Sequence, residues 1–277
     1  MNDIIRDIQD LTFLSWSKVR NSSGTAGSFL KAYEETDEGN LYYKLSNYDP
    51  YHGITGHECV NEIIADRLLN LLGLEHLSYQ LIHAKVNVDH KELITWLCLS
   101  RDFKMKNEDK IALDAFYQIM HQEEETPLNF CIRMGWEKEI YEMLVFDFLT
   151  LNRDRHGANI EILRNRNNKE YRMAPLFDHG LSLLFNCDDD NLLSETNVME
   201  DKRVQCFVGS SSAKNNLGLI PLNKQPKLNP ITPESKNYLL DGLDGIISKL
   251  LQERIWDMIY QRWQYYESLF DKERQHK

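Results

Sequence analysis

Hydrophobic positions recur at helical spacing in several stretches of the chain. The clearest runs lie over 58–72, which Gly73 would end, and over 137–151, which is apolar on nearly every face. A helix that is apolar all round is expected at the centre of its domain. The same spacing predicts amphipathic helices over residues 1 to about 18, about 235–250 and about 252–270.

Strand-like runs are concentrated in the first hundred residues. They lie at 41–45, 76–85 and 93–100, and a turn at 86–91 separates the last two. Two shorter strand-like segments flank a basic turn at 164–169. The stretch 104–128 is polar with scattered apolar residues, and its acidic run at 123–125 predicts a solvated loop.

Candidate chemistry gathers where the central helix ends. The polar turn after it carries Asp154, His156 and Asn159, and a short strand, a turn and a second strand then lead to Asp178. Phosphoryl transfer needs a carboxylate that accepts the proton of the attacking hydroxyl. It also needs a carboxylate and an amide oxygen that hold magnesium on the phosphates. Asp154 suits the first role, and Asn159 and Asp178 suit the second.

The alternative is a polar hairpin turn whose side chains only cap backbone groups, which is the usual role of Asp and Asn in turns. Either acid alone would favour that interpretation. The combined spacing of Asp154, Asn159 and Asp178, with strand patterns between them, favours phosphoryl transfer.

Lys44 interrupts the apolar run 41–45, so its ammonium should reach a cleft or water, because an unpaired buried charge is costly. Lys31 is a rival. A Ser-Gly-rich stretch at 20–28 precedes Lys44, and its amides could wrap a phosphate, although a plain surface hairpin has the same composition. Glu58 and Glu62 begin the next helix, where acids are also favourable without any further role.

These motifs carry a resemblance. Asp-Arg-His-Gly-Ala-Asn at 154–159, followed by a hairpin and an apolar strand ending in Asp178, resembles the HipA-like protein kinases, especially the compact CtkA-like members. The loop also resembles that of the phosphoinositide kinases. The resemblance extends from about Ser22 to the last helices. It implies an α+β, two-lobed protein-kinase-like fold, with a small β-rich N-lobe over 1–103 and a larger, mainly helical C-lobe over 104–277.

The resemblance also implies a catalytic arrangement for ATP and Mg²⁺. Asn159 and Asp178 would hold the metal, and Asp154 would orient or deprotonate the acceptor hydroxyl. His156 would brace the loop beside the nucleotide. Its two neighbouring arginines, Arg153 and Arg155, would either meet phosphate or fix the loop.

The nucleotide contacts implied by the resemblance lie in the first half of the chain. Lys44 would contact the inner phosphates and pair with Glu62, with Glu58 as the less favoured partner. Adenine would pair with the backbone at Leu97, Cys98 and Leu99. The phosphate-covering hairpin would include Ser22, Ser23, Gly24 and Thr25.

The expected activity is therefore serine/threonine protein phosphorylation, with autophosphorylation and a toxin or effector role as further expectations. The resemblance suggests an antitoxin-type partner, while the protein substrate is not indicated. A nucleotide-binding pseudokinase or scaffold, and a small-molecule or lipid kinase, are the alternatives.

Net charge and cysteine content limit the expected partners and the expected cellular location. The net charge of -11 argues against direct binding to a DNA or RNA backbone. No apolar run is long enough to cross a bilayer, and the N-terminus lacks the form of a secretion signal. The five scattered cysteines predict reduced thiols and neither a zinc site nor a disulfide framework. A cytoplasmic protein without a membrane partner is expected, and secretion as an effector is the alternative.

Overall fold

The computed structural model describes residues 3–19, 26–37, 39–187 and 189–274. Its strands are β1 (Ile4–Asp10), β2 (Ser17–Val19), β3 (Ala26–Thr36), β4 (Gly39–Leu45), β5 (Tyr48–Asp49), β6 (Gly53–Ile54), β7 (Tyr79–Val88), β8 (Lys91–Arg101), β9 (Glu108–Ala112), β10 (Asp154–Arg155), β11 (Glu161–Asn165), β12 (Tyr171–Met173) and β13 (Gln205–Cys206). Its helices are α1 (Glu58–Leu72), α2 (Leu113–Met120), α3 (Pro127–Arg133), α4 (Glu137–Thr150), α5 (Asp190–Glu195), α6 (Ala213–Leu217), α7 (Ser235–Leu240) and α8 (Lys249–Arg274), with 3-10 turns at Gly157–Asn159 and Leu222–Lys224.

A six-stranded sheet forms the first part of the chain, in the order β1-β7-β8-β4-β3-β2. β1 runs parallel to β7, and the other neighbours are antiparallel. The turn between β7 and β8 places Asp89 and His90 in the left-handed region, at φ 51° and 63°. The strands predicted at 41–45, 76–85 and 93–100 are thus confirmed, and Lys44 lies on a central strand.

The helix predicted over the first 18 residues is wrong. Ile4 and Ile5 pair with Leu81 and Ile82 as part of β1. Ile4 packs against the larger hydrophobic core and Ile5 against a second core on the other face of the sheet, which is the alternation of a strand. The isoleucine spacing also fits a helix, but β-branched side chains suit a pleated strand better.

Helix α1 occupies the predicted range and ends at Gly73, whose φ is +77°. Every residue of α1 except Asn70 and Leu71 is buried. Arg67 fastens α1 to other parts of the chain, because its guanidinium donates to the Asp3 carboxylate at 2.7 and 3.1 Å and to the Leu239 and Asp241 carbonyls at 3.0 and 2.7 Å. The helix therefore has a fixed position beneath the sheet.

Every residue of helix α4 from Ile140 to Thr150 except Glu142 is buried, as its apolar pattern predicts. It ends at Leu151, which adopts the left-handed conformation at φ 50°. Helix α8 packs against α4 and contributes Ile255, Trp256 and Ile259 to the same core. Helix α4 is therefore tightly packed, and it holds the polar turn at 152–159 in place.

The acidic run at 123–125 lies in the loop between α2 and α3, as predicted. The polar stretch around it also contains β9 and α2, whose Leu113 and Phe116 are buried; segments this short give too few positions for a clear period. The helix predicted over 235–250 stops at Leu240, where a turn containing Gly242 and Gly245 at positive φ intervenes before α8. Across the described ranges, no helix has both the length and the apolarity needed to cross a membrane.

Candidate active site

Asp178 is held at the end of an extended segment that follows β12. Leu176 pairs with residues 75–77, its N–H donating to the Glu75 carbonyl at 3.1 Å and its carbonyl accepting the Leu77 N–H at 2.8 Å. Asp178 itself has φ 58°, and its N–H donates to the Tyr79 hydroxyl at 3.3 Å. Because side chains rarely adopt this region, the surrounding contacts must hold the residue there.

Glu62 joins helix α1 to the segment after Asp178. One carboxylate oxygen accepts the Lys44 ammonium at 2.8 Å and the Gly180 N–H at 3.0 Å, and the other accepts the His179 N–H at 2.8 Å. A Cβ on Gly180 would lie 3.2 Å from the Lys44 ammonium. A glycine at 180 therefore allows the backbone to approach the ion pair closely.

Lys44 is the centre of charge in the site. Its ammonium lies 2.6 Å from one Asp178 oxygen, and Lys31 lies 3.7 Å from the other. Burial alone would lower the pKa of Lys44, but the carboxylates of Asp178 and Glu62 outweigh it and raise the pKa well above the ordinary value. The lysine is thus charged at neutral pH. Glu58 instead accepts the Asn47 N–H at 3.0 Å, so the structure pairs Lys44 with Glu62.

Arg155 is buried and holds the turn that carries Asp154. Its guanidinium forms a two-point pair with Asp147 of α4, both contacts being 2.9 Å. The remaining nitrogen donates to the carbonyls of Asn159 and Phe177, each at 3.0 Å. A single side chain therefore joins Asn159 to the residue before Asp178. Of the two roles considered for Arg155, the observed one is to fix the loop.

Asp154 and Asn159 are neighbours within this loop. The Asn159 amide nitrogen donates to the Asp154 carbonyl at 2.8 Å and to its carboxylate at 3.1 Å. His156 accepts the Ala158 N–H at 3.2 Å through Nδ1, and its Nε2 lies 3.6 Å from Asp154. His156 therefore caps the turn that follows it. Arg153 donates to the Arg203 carbonyl.

A cleft of about 490 Å³ opens beside Lys44 and Asp178, within the size range of ligand sites. Phe103 and Phe177 form part of its apolar wall, with ring centroids 5.6 Å apart. Lys110 lies over the Phe103 ring at 4.0 Å and pairs with Asp102 at 2.9 Å. The cleft thus combines an apolar end with a cationic and anionic end, as a nucleotide requires.

The donor set suits Mg²⁺ bound together with phosphates. Mg²⁺ takes one or two carboxylates and completes its shell with phosphate and water oxygens. Asp178 offers a carboxylate and Asn159 an amide, and Arg155 holds their backbones side by side. Among the described residues, no group of three or more His, Cys, Asp or Glu forms a dedicated metal cage. The residues present therefore fit a metal that arrives with its nucleotide.

Comparison with known proteins identifies a related sequence and a related fold. The chain is 30% identical over 194 residues to the serine/threonine-protein kinase CtkA of Helicobacter pylori strain J99, a match that covers 65% of this chain and 57% of that protein. A crystal structure of the H. pylori proinflammatory kinase CtkA matches with a TM-score of 0.59 at 19% identity, over 92% of this chain and 93% of that one. The chain has a CtkA-like fold. It is therefore α+β and protein-kinase-like, as expected from the resemblance.

Two further comparisons add less. HipA of Shewanella oneidensis MR-1, solved with HipB and operator DNA, matches at a TM-score of 0.40 and 14% identity over 90% of this chain and 59% of that one, which is too weak to bear on the fold. No protein-family model matches the chain. The aligned region spans less than two thirds of the H. pylori CtkA sequence. The domain boundaries 1–103 and 104–277 stay a prediction.

The residues predicted to contact adenine do not lie at an open edge of the sheet. Leu97, Cys98 and Leu99 are in the middle of β8, where they pair with β4 on one side and β7 on the other. Their backbone groups are used by the sheet, so adenine cannot pair with them. This segment lines the cleft at Cys98 and, farther along, at 100–103.

The remaining predicted residues divide into two groups. Ser22, Ser23, Gly24 and Thr25 lie outside the described residues. Lys44, Glu62 and Asp178 are brought together, and Asp154, His156 and Asn159 lie together in the loop joined to them through Arg155. Tyr79, Asp147 and Lys110 also belong to the site, although the sequence did not predict them. Tyr79 and Lys110 come from strands without a recognisable motif, while a charged residue in the apolar helix α4 was a signal for Asp147.

Proposed function

We propose that this chain is an ATP- and Mg²⁺-dependent serine/threonine protein kinase. The observation that carries the proposal is the position of the Lys44 ammonium, 2.8 Å from Glu62 and 2.6 Å from Asp178 at the cleft. A buried lysine between two carboxylates is a preorganised charge array that suits a polyphosphate and its cation. The name of the relative in H. pylori, a serine/threonine-protein kinase, supports a protein hydroxyl as acceptor.

Binding would rearrange partners that are already in place. Lys44 would keep Glu62 and exchange Asp178 for phosphate oxygens, while Asp178 and Asn159 would turn to the metal. Asp178 and Asn159 would hold Mg²⁺ there, and the metal would supply neutralisation of the charge that develops on the phosphates. Glu62 would hold both the lysine and the backbone at 179–180 through this exchange, because it bonds to each of them.

Asp154 would act on the acceptor. Its carboxylate is about a quarter exposed, with a side-chain accessibility of 24%, and the Asn159 amide fixes its orientation at 3.1 Å. From that position it would orient the incoming hydroxyl and accept its proton as the bond to phosphorus forms. Most of the rate gain would come from positioning and charge neutralisation, since no covalent enzyme intermediate is needed.

Transfer from labelled ATP tests the proposal. The purified chain is incubated with γ-labelled ATP, MgCl₂ and a general protein acceptor, and labelled protein is measured. Asp154→Asn and Asp178→Asn should each remove at least about 99% of the label, the loss expected when a catalytic or metal-holding group is removed. Glu123→Gln, an exposed acid away from the site, should behave like the parent chain.

Other results of this assay would contradict the proposed activity. Label that persists in both aspartate variants, or that forms equally with EDTA in place of MgCl₂, would overturn the assignment. A rise in melting temperature with ATP and Mg²⁺ but no label on any protein would instead support a pseudokinase. Label on a lipid or small molecule alone would move the acceptor class away from protein.

The partner and the setting remain predictions. An antitoxin-type partner, a toxin or effector role and autophosphorylation are proposed from the resemblance, and a cytoplasmic location from the scattered cysteines and the form of the N-terminus. Co-purification from the native host would identify a stable partner, and phosphopeptide mapping after the assay above would identify a site of autophosphorylation.

A further inference from the structure

Two of the five free cysteines meet directly behind Lys44. Cys59 on α1 and Cys98 on β8 are each 1% exposed, and both thiols point at the same acceptor. The Cys59 thiol donates to the Lys44 carbonyl at 3.0 Å, and the Cys98 sulfur lies 3.8 Å from the same oxygen. The pKa of each thiol is also shifted by a hydrogen bond to the other, lowered at Cys59 and raised at Cys98. The pair therefore connects helix α1 to the sheet at the lysine.

The location of the pair links it to the candidate active site. Cys59 precedes Glu62 by three positions on α1, so the two side chains lie on one side of the helix. Cys98 is the direct cross-strand neighbour of Lys44. The two residues that hold the ion pair are thus each next to one of the thiols.

We propose that Cys59 and Cys98 form a reversible regulatory disulfide. A peroxide is the oxidant by class: one thiolate attacks a peroxide oxygen and becomes a sulfenic acid as water leaves. The second thiol then attacks that sulfur, the S–S bond forms, and a second water leaves. In total, two thiols and one peroxide give one disulfide and two waters. A reducing dithiol returns both thiols.

A small oxidant can reach the pair through the cleft. The Cys98 side chain lines the cleft wall although little of it is exposed. A nucleotide in the cleft would cover this approach, so bound nucleotide should slow oxidation. Such transient bonds are the kind found in reducing compartments, where permanent disulfides are rare.

The surroundings of Cys59 favour reaction. Burial by itself raises the pKa of this thiol, but hydrogen bonds from Cys98 and Ser46 and the nearby Lys44 charge bring the pKa below the ordinary value. The pKa of Cys98 is well above its ordinary value because it shares a hydrogen bond with Cys59 and is buried. One member of the pair is thus the better nucleophile and the other the resolving thiol.

Closing the bond should disturb Glu62. A disulfide holds its sulfurs about 2.05 Å apart, which draws α1 towards β8 and takes the Cys59 sulfur from the Lys44 carbonyl. A displacement of about 1 Å at an active site can cost about a hundredfold in rate. We expect the oxidised chain to transfer phosphate at least about tenfold more slowly, an expectation that rests on the proposed kinase activity.

The experiment treats the full chain with hydrogen peroxide, blocks the remaining thiols with iodoacetamide and maps peptides by mass spectrometry. A peptide linked through Cys59 and Cys98 should appear, disappear with dithiothreitol, and form more slowly with a non-hydrolysable ATP analogue and Mg²⁺. Phosphoryl transfer should fall as the linked peptide forms and recover when dithiothreitol removes the link. Cys59→Ser should give no linked peptide and keep its activity after peroxide, whereas Cys131→Ser, a buried cysteine on α3, should behave like the parent chain.

Both the peptide map and the activity measurement have a result that would contradict the proposal. If both thiols of the parent chain are still alkylated after peroxide, or are found only as sulfinic or sulfonic acids, no disulfide forms. If the linked peptide forms while activity is unchanged, the bond has no regulatory effect. The peptide is detected whether or not the chain is a kinase, so a failure of the proposed function leaves this readout intact. Should Cys59→Ser not fold, the parent peptide map still decides.

Discussion

The Glu62 carboxylate bonds to Lys44 at 2.8 Å and, through the same pair of oxygens, caps two backbone N–H groups of the segment that follows Asp178. Lysine, helix and metal-binding segment are thus coupled through one acid. The coupling explains why α1 has to be held firmly, which its near-complete burial and the Arg67 contacts achieve.

Glu62→Gln should lower phosphoryl transfer at least about tenfold, because the amide cannot neutralise Lys44 and offers only one acceptor oxygen for three donors. Initial rates with labelled ATP give the result. Glu58→Gln is the matched control: Glu58 is one turn earlier on the same helix, is also buried, and accepts the Asn47 N–H instead. Equal losses in both variants would show that the helix and not the ion pair is being disturbed.

Tyr79→Phe should raise the KM for MgATP about fivefold with little change in melting temperature. The substitution removes only the hydroxyl that accepts the Asp178 N–H at 3.3 Å, an interaction of about 1 kcal/mol. Steady-state kinetics at varied MgATP gives the result. Tyr141→Phe removes a comparable single hydroxyl contact, to Glu137 on α4, and should leave KM unchanged. An unaltered KM in Tyr79→Phe would mean that the hydroxyl does not position Asp178.

Arg155→Met should reduce the free energy of unfolding by about 3–5 kcal/mol, because it leaves the buried Asp147 carboxylate without its counter-ion. Urea unfolding followed by tryptophan fluorescence measures the change. Arg166→Met removes a similar pair with Asp109, but at an exposed turn, and should alter stability little. A small effect at Arg155 would indicate that water replaces the guanidinium in the loop.

His179 should make the fold sensitive to mild acid. Burial, followed by the nearby Arg155 charge, lowers its pKa well below the ordinary 6.5. Below about pH 6.5 the unfolded chain therefore binds a proton at this residue that the folded chain does not, and stability falls as pH falls. The loss is about 1.4 kcal/mol per pH unit until the folded pKa is reached.

Urea unfolding of the parent and of His179→Leu at about pH 7 and about pH 5.5 measures this term. The parent should lose more stability over the interval than the variant, because carboxylates contribute equally to both. Equal slopes would mean that His179 is protonated in the fold or reaches solvent. The ring packs edge-on against Phe146 with centroids 4.9 Å apart, so leucine should fill most of the same space.

Strand β8 shows what a pattern of apolar residues leaves undecided. The run at 93–100 predicted a strand, and β8 confirms it. The same run was also expected to offer backbone groups at 97–99 to adenine, but only the position of β8 between two partners shows that those groups are occupied. Pairing on both sides depends on which strands become neighbours, and a strand's own sequence does not state its neighbours.

The sequence alone determined the long helices and singled out the candidate site residues. The regular spacing of α1 and α4, the lysine in an apolar strand and the order of Asp154, Asn159 and Asp178 are local features, and each depends on residues close together in the chain. The tertiary structure decided which acid meets Lys44, where the cleft wall lies, that the first segment is a strand, and that Cys59 faces Cys98. Those outcomes depend on contacts between residues that are tens of positions or more apart, and such contacts are set by how whole elements pack.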